Sequence, residues 1–355
     1  MKRTRILWLL ACGLVLALLL AACAPAEPAS TTAGGDAAST TDSDTAGDTA
    51  TAATDSTEAA AASAPGGEKP TIRLIANTWP ASELNVNVAA NLLKNKLGYD
   101  VEIIALDEQA QWDALTGGDA DASLEVWPSG HGERIAQYID EQKVVENGGE
   151  LGVVGRIAWY TPQYVVDANP ALATWEGYAD PAVAKQFATA ETGDKGTFFA
   201  GPLGWTQYDQ QIMDALGLNF QVINTASEEA LLAQVSSKYE RQEPVLFYFY
   251  TPHAIFTKFD LAQVELPTCT KGEHEAKVEA GNVDCAYPDD RLIKIFNPKL
   301  KDSAPDAYNL LKNFNYTTDD QIEMLGMLDA GQTVEEAAQG WIDAHPDTWQ
   351  AWLGQ

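Results

Sequence analysis

The chain has few of the residues that build catalytic or metal centres. Its four histidines, His131, His253, His274 and His345, form no pair with metal-ligand spacing. It also contains no HExxH, GxSxG, Walker A or CxxC motif. These absences argue against an exported hydrolase, an NTPase and a dithiol oxidoreductase. We therefore predict a protein that is not an enzyme and that holds no cofactor and no metal.

Positive charge is scarce as well. The chain has 22 Lys and Arg residues against 51 Asp and Glu residues, which gives a net charge of −29. Three basic residues lie in the first five positions, and residues 24–70 carry eight acidic residues and one basic residue, which leaves −25 on the rest. So acidic a surface disfavours nucleic acid and anionic lipid as partners.

The N-terminus has the pattern of an export signal. Lys2, Arg3 and Arg5 precede an uncharged apolar run over 6–22, which predicts a secretory signal peptide at residues 1–22. The segment "LAAC" at 20–23 resembles the bacterial lipobox, whose cysteine is acylated and becomes the mature N-terminus. We expect lipidation at Cys23 and an exported protein anchored to the outer face of the cell membrane, or periplasmic. An uncleaved anchor, an ordinary signal peptide and acylation at Cys12 are the alternatives.

Residues 24–70 lack aromatic side chains, leucine, isoleucine and valine altogether. Such a segment cannot bury enough apolar surface to offset its chain entropy. We predict that 23–70, from the acylated cysteine onward, is a disordered tether.

Only four cysteines are present, and two of them lie in or next to the predicted signal. Cys269 and Cys285 remain, in a polar stretch of an exported chain, and export favours a disulfide between them. A metal site with the nearby His274 is the alternative, although these residues lack a ligand-pair spacing.

Strand and helix patterns alternate through the rest of the chain. The first unit reads as strand 71–77, helix 83–97, strand 101–106, short helix 109–115 and strand 122–126. A β-α-β-α-β order predicts a parallel sheet with right-handed crossovers.

The middle of the chain repeats this alternation of strands and helices. Its predicted elements are a helix at 180–187, a strand at 196–201, a helix at 207–216, a helix opened by the capping-box pair Thr225 and Glu228, and a strand at 244–250. Two α/β units and a return segment predict an α/β fold of two lobes with a ligand cleft between them. We assign 71–161 and 262–355 to the first lobe and 162–261 to the second.

Large aromatic residues lie at four predicted strand ends. Trp79 follows the first strand, Trp127 the third and Trp205 the strand at 196–201, and Tyr250 closes the strand at 244–250. Ligands of open α/β sheets bind beyond the carboxyl ends of the strands. A quaternary ammonium has no N–H to donate, but ring faces bind it through cation–π contacts. Each residue taken alone could be a core residue, whereas the four together favour an aromatic box.

The stretch after Trp205 adds an anion site. Thr206 and Asp209 have the spacing of a capping box, so a helix is expected to start there with free N–H groups at Thr206 and Gln207. His131 could donate a further hydrogen bond, or it could be a loop histidine bonded to backbone. An aromatic wall beside an anion site suits a zwitterion with a methylated cation and a carboxylate.

The region from Thr71 to Gln355 resembles the glycine betaine/proline betaine-binding proteins of ABC importers. Six segments match in the family's order: "NKLGYDVE", "LTGGDADASLEVWPSGH", "DPAVAKQF", "GPLGWTQYD", "PVLFYFYTPH" and "GWIDAHPDTWQAWL". The resemblance implies a two-lobed periplasmic-binding-protein fold (type II) that closes around its ligand. It implies box walls at Trp127, Trp205 and Tyr250, and it implies that His131 and the amides of Thr206 and Gln207 bind the ligand's carboxylate.

The chain departs from the family pattern in three ways. Tyr250 stands where tryptophan is common, and the cysteine-bearing insertion is not general to the family. Trp79 matches a tryptophan of some branches, among them choline binders, but the acid that these branches place two residues later is Ala81 here.

These features predict a monomeric solute-binding protein that delivers an osmolyte to the permease and ATPase subunits of an ABC importer. Glycine betaine or a similar quaternary ammonium is the expected ligand. Choline and, after it, ectoine-type or proline-type osmolytes are the alternatives. A purely structural surface lipoprotein would leave the aromatic strand ends unexplained.

Overall fold

The computed structural model describes residues 69–354. The predicted signal peptide, Cys23 and all but the last two residues of the predicted tether lie outside this range. The strands are β1 (Ile72–Ala76), β2 (Val101–Ala105), β3 (Ala122–Val126), β4 (Glu146–Pro162), β5 (Gly196–Ala200), β6 (Phe220–Asn224), β7 (Leu246–Thr251), β8 (Leu261–Val264) and β9 (Asp290–Phe296).

Helices surround these strands. They are α1 (Pro80–Asn95), α2 (Ala110–Gly117), α3 (Gly132–Arg134), α4 (Gln163–Ala168), α5 (Pro181–Ala184), α6 (Asp209–Ala215), α7 (Glu228–Glu240), α8 (Ile255–Lys258), α9 (Lys271–Ala280), α10 (Leu300–Ser303), α11 (Pro305–Asn313), α12 (Thr318–Asp329), α13 (Val334–Ala344) and α14 (Pro346–Trp352). Within residues 69–354, none of them has the length and apolar character needed to cross a membrane.

The sheet contains two parallel units. Its strand order is β2-β1-β3-β9-β4-β7-β5-β6, with β8 paired to β4. β1 pairs in parallel with β2 and β3, and β5 pairs in parallel with β6 and β7. The prediction of α/β units with parallel strands is therefore confirmed. The antiparallel strands β9 and β4 lie between the two units.

The long strand β4 runs through both halves of the sheet. Its residues 146–155 pair with β9, whereas 156–160 pair with β7 and 159–162 pair with β8. We call the half with β1, β2, β3 and β9 the first lobe, and the half with β5 to β8 the second lobe. The pairing partner of β4 changes at 155/156, a few residues before the lobe boundary predicted at 161/162, and β8 spans the one predicted at 261/262.

Helix α1 illustrates how the apolar pattern sets the packing. Pro80 starts the helix, where its missing N–H is harmless, and Leu84, Val88 and Leu92 recur on one face. All three are fully buried. They bury the apolar face of α1 in the core of the first lobe, which fixes the residue just before the helix, Trp79.

One predicted helix start is wrong. α7 begins at Glu228 and is capped by Ser227, whose Oγ accepts a hydrogen bond from the Ala230 N–H at 3.3 Å. The predicted cap, Thr225, instead donates from Oγ1 to the Ala200 carbonyl at 3.1 Å. Glu228 does not complete a capping box with Thr225, and its carboxylate instead accepts a hydrogen bond from the Tyr250 hydroxyl at 2.6 Å.

The cysteine-bearing insertion holds a disulfide. Cys269 and Cys285 are joined, with their Cα atoms 5.9 Å apart, on either side of α9. His274, the third member of the alternative metal site, lies on α9 and packs against the rings of Tyr208 and Tyr287.

Candidate functional site

The aromatic residues predicted at the strand ends surround one pocket between the lobes. Trp79 and Trp127 come from the first lobe, and Trp205 and Tyr250 come from the second. The ring centroids of Trp127 and Tyr250 are 5.6 Å apart, those of Trp205 and Tyr250 are also 5.6 Å apart, and those of Trp79 and Trp205 are 6.2 Å apart. Interplanar angles of 78° to 87° set these neighbouring rings nearly at right angles, as in the walls of a box.

Two glycines make room for two of these rings. A Cβ atom on Gly155, in β4, would overlap the six-membered ring of Trp127, and a Cβ atom on Gly201 would overlap that of Trp205. Any larger residue at either position would push the ring out of its place in the box.

The N–H and O–H groups of three box aromatics are hydrogen-bonded to carboxylates outside the pocket. The indole N–H groups of Trp79 and Trp127 both donate to Glu125, at 2.7 and 3.1 Å. The Tyr250 hydroxyl donates to Glu228 at 2.6 Å. The ring faces, rather than the N–H and O–H groups, are thus left for a ligand.

A carboxylate that was not predicted also lines the pocket. Glu108 follows β2, is 6% exposed and accepts a hydrogen bond from the backbone N–H of Thr206 in the opposite lobe. Burial raises the pKa of Glu108, but the neighbouring His131 and the hydrogen bonds to His131 and Thr206 together lower it below its usual range. Glu108 is therefore an ionised group at the pocket wall.

His131 lies behind this carboxylate and does not line the pocket. Its Nδ1 lies 3.2 Å from the Trp112 indole nitrogen. Nε2 faces Glu108 Oε2 at 3.4 Å. The side chain is 1% exposed, and a ligand meets Glu108 rather than the histidine.

The predicted capping box at Thr206 is wrong. Helix α6 begins only at Asp209, and its N-cap, Tyr208, makes no side-chain cap. The Thr206 hydroxyl accepts from the Gln109 side chain at 2.5 Å, across the cleft. Gln207, whose backbone N–H was expected to bind the ligand's carboxylate, does not line the pocket. Its side chain accepts from the Gly201 N–H and donates to the Pro202 carbonyl.

The bonds to Thr206 are part of a set that closes the cleft. Glu108 and Gln109 bind Thr206 from the first lobe, and the Trp205 indole N–H donates to Thr78 Oγ1 at 3.3 Å. The two lobes are therefore held together at the strand ends where the pocket lies.

Four further lining residues were not predicted: Glu108, Gly130, Ile157 and Tyr248. Two of them had a signal in the sequence. Glu108 lies beyond the end of β2, at the same edge of the sheet as Trp79 and Trp127, and Tyr248 lies two residues before Tyr250, on the same face of β7.

The fold and the pocket define a class. A closed, two-lobed α/β protein with an aromatic-walled pocket at the strand ends is a binding protein for a small solute. The family described as the substrate binding domain of ABC-type glycine betaine transport system matches residues 70–344. The chain belongs to this family, so it is a transport protein and not an enzyme.

Individual relatives are similar over most of their length. The trimethylamine N-oxide-binding protein of Pelagibacter ubique (strain HTCC1062) is 26% identical over 298 residues, 82% of this chain and 93% of the relative. Lactococcal OpuAC, closed around glycine betaine, has a TM-score of 0.61 at 20% identity and covers 80% of this chain and 99% of its own. A choline binding protein in complex with choline has a TM-score of 0.63 at 20% identity, covering 80% and 91%. These structures share the two-lobed fold.

Proposed function

We propose that this protein is the solute receptor of an ABC importer and captures a small methylated ammonium ion between its lobes. The observation that supports this most strongly is the meeting of Trp79, Trp127, Trp205 and Tyr250 around one pocket. A cation enclosed by these rings is desolvated, and each cation–π contact then contributes about 2 kcal/mol or more. Four walls can supply the roughly 8 kcal/mol that corresponds to micromolar affinity.

Glu108 favours a ligand whose second group is a hydrogen-bond donor. The Thr206 amide and the His131 side chain, which were predicted to receive a ligand carboxylate, both face Glu108. A ligand carboxylate, or the oxygen of an amine oxide, would meet an ionised carboxylate instead. A hydroxyl could donate to Glu108, whose oxygens each have a second lone pair. The pocket therefore favours choline or a choline-like cation over glycine betaine.

Glycine betaine is the second candidate, supported by the family to which the chain belongs. It requires Glu108 to leave the Thr206 amide, so that the ligand's carboxylate takes over the bonds to Thr206 and His131. Glu108 would then face solvent or become protonated, and either change reduces the affinity.

Titration followed by intrinsic tryptophan fluorescence and calorimetry tests the assignment. Choline, glycine betaine, trimethylamine N-oxide and ectoine are each added to the purified protein. We expect choline to bind at micromolar concentration and at least tenfold more tightly than glycine betaine. A reversed order would support the betaine assignment, and no binding by any methylated amine would refute both.

The remaining parts of the proposal concern location and partners. We propose that Cys23 is acylated after removal of residues 1–22, and that the tether up to residue 70 holds a monomeric body near its permease. Labelling with a radioactive fatty acid should mark the wild-type protein but not the Cys23→Ser variant. The variant should bind ligand normally yet be released into the medium or periplasm. Equal labelling of both proteins would contradict this anchor.

A further inference from the structure

Glu125 is the next-to-last residue of β3, two residues before Trp127, and is 1% exposed. It does not line the pocket. Its Oε1 accepts from the indole N–H groups of Trp79 at 2.7 Å and Trp127 at 3.1 Å. Its Oε2 accepts from the side-chain amides of Asn85 at 2.5 Å and Gln321 at 3.3 Å. One carboxylate thus joins both first-lobe walls of the box to α1 and α12.

All four partners are neutral donors, so they stabilise the ionised form. An indole N–H can only donate, and a protonated Glu125 would add a fifth donor to a site that already has four. Burial acts in the opposite direction and is the largest influence, and the net result raises the pKa of Glu125 to about 7. The charge of Glu125 also helps to raise the pKa values of the Tyr250 and Tyr316 phenols.

A negative charge at this position has two effects on the box. It fixes the planes of two rings by their N–H groups, which lowers the cost of organising the walls when a ligand binds. It also lies at the N–H edges of those rings, close to the box, so it attracts a cation held there through a medium of low dielectric.

We propose that Glu125 is a positioning residue for ligand binding: its ionised carboxylate orients Trp79 and Trp127 and adds a negative charge that selects a cationic ligand. This inference rests on the proposed function in that it takes the occupant of the box to be a cation. It makes the affinity depend on pH, because a bound cation favours the ionised carboxylate and protonation of that carboxylate disfavours the cation.

Tetramethylammonium is a suitable probe, because it carries the permanent charge and methyl groups but has no head group to interact with Glu108. Its affinity for the full-length protein is measured by calorimetry between pH 5.5 and 8.5. For the wild type we expect nearly constant affinity above pH 8 and a fall of about tenfold towards pH 6. Glu125→Gln should bind at least tenfold more weakly at pH 8.5, with a flatter pH profile.

Asp209→Asn is a matched control. Asp209 is also buried, also accepts from an indole N–H, that of Trp159 at 2.6 Å, and burial also raises its pKa to about 7. Trp159 does not line the pocket. This variant should keep the wild-type affinity and pH profile for tetramethylammonium. If Glu125→Gln behaves in the same way, the proposal is wrong.

A ligand-free measurement separates this inference from the proposed function. Tryptophan emission of the wild type should change between pH 6 and pH 8, and a component of that change should be missing from Glu125→Gln. If Glu125→Gln does not fold, Trp79→Phe and Trp127→Phe serve instead, since each keeps a ring but removes the N–H. They should weaken tetramethylammonium binding several-fold, and wild-type affinity in both would overturn the proposal. If Glu125→Gln lacks this emission component but the wild type binds no methylated amine, then Glu125 orients the rings and the cationic ligand is refuted.

Discussion

The backbone N–H of Thr206 donates to the carboxylate of Glu108 across the cleft, so that a side chain of the first lobe occupies the place expected for a ligand's carboxylate. The two residues are separated by 98 positions in the sequence. Glu108 is thereby both a contact that closes the lobes and a charged wall of the pocket.

Replacing this carboxylate should change the ligand preference. Glu108→Gln removes the charge that repels a ligand carboxylate and weakens the acceptor for a ligand hydroxyl. Hydrogen bonds to charged groups contribute about 1.5–3 kcal/mol, so we expect the ratio of glycine betaine to choline affinity to rise by about tenfold or more. Calorimetric titration of both ligands measures the ratio. Asp107→Asn, the control, removes an exposed charge next to Glu108 and should leave the ratio unchanged. If Glu108→Gln also leaves the ratio unchanged, Glu108 does not select the ligand.

Removing one wall of the box should cost most of the affinity. Trp127→Ala deletes a ring face and also opens the pocket to water. We expect choline to bind at least about 30-fold more weakly, because one desolvated cation–π contact contributes about 2 kcal/mol. Trp175→Ala removes a tryptophan that does not line the pocket, and it should bind choline normally. Equal affinities of the two variants would count against the box.

A substitution at Gly155 tests the box without changing the identity of any box residue. Gly155→Ala puts a methyl group where the ring of Trp127 now lies. The ring must rotate or shift, and we expect choline affinity to fall at least tenfold while the circular dichroism spectrum stays native. Gly272→Ala is the control, because no atom lies within 4 Å of a Cβ atom built on that helical glycine. Wild-type binding by Gly155→Ala would mean that the position of Trp127 is not critical.

The α/β units could be predicted from the sequence because their signals are local. The apolar pattern of 122–126 and the Asp180 cap followed by Pro181 depend only on neighbouring residues, and both match the structure. The aromatic strand ends could be read in the same way, since the edge of a parallel sheet brings strand ends together without knowledge of individual contacts.

The polar part of the site could not be predicted in this way, because its partners are distant in sequence. Glu125 reaches Gln321 over 196 positions, and in the sequence it is only an acid within a strand. The start of α6 was missed for the same reason. The backbone N–H of Tyr208 donates to the Tyr287 hydroxyl at 2.6 Å. This tertiary contact holds the segment before α6 as a loop, whereas the capping-box spacing predicts that the helix already includes it.

Asp209 should make the stability of the fold depend on pH. Burial raises its pKa from 3.8 to about 7, against the opposing hydrogen bonds of Trp159 and Tyr287. A carboxyl group whose pKa is raised on folding binds more protons in the folded state between these two values. It therefore lowers the free energy of unfolding as the pH rises from about 4 to about 7. Asp209→Asn cannot titrate, so the wild type should lose stability relative to this variant between pH 5 and pH 8, by on the order of 2 kcal/mol or more. Urea unfolding of both proteins at each pH measures the difference. Asp140→Asn, a change at an exposed residue, should show no such trend. A constant difference in stability between the wild type and Asp209→Asn would mean that Asp209 stays ionised in the folded protein from pH 5 to pH 8.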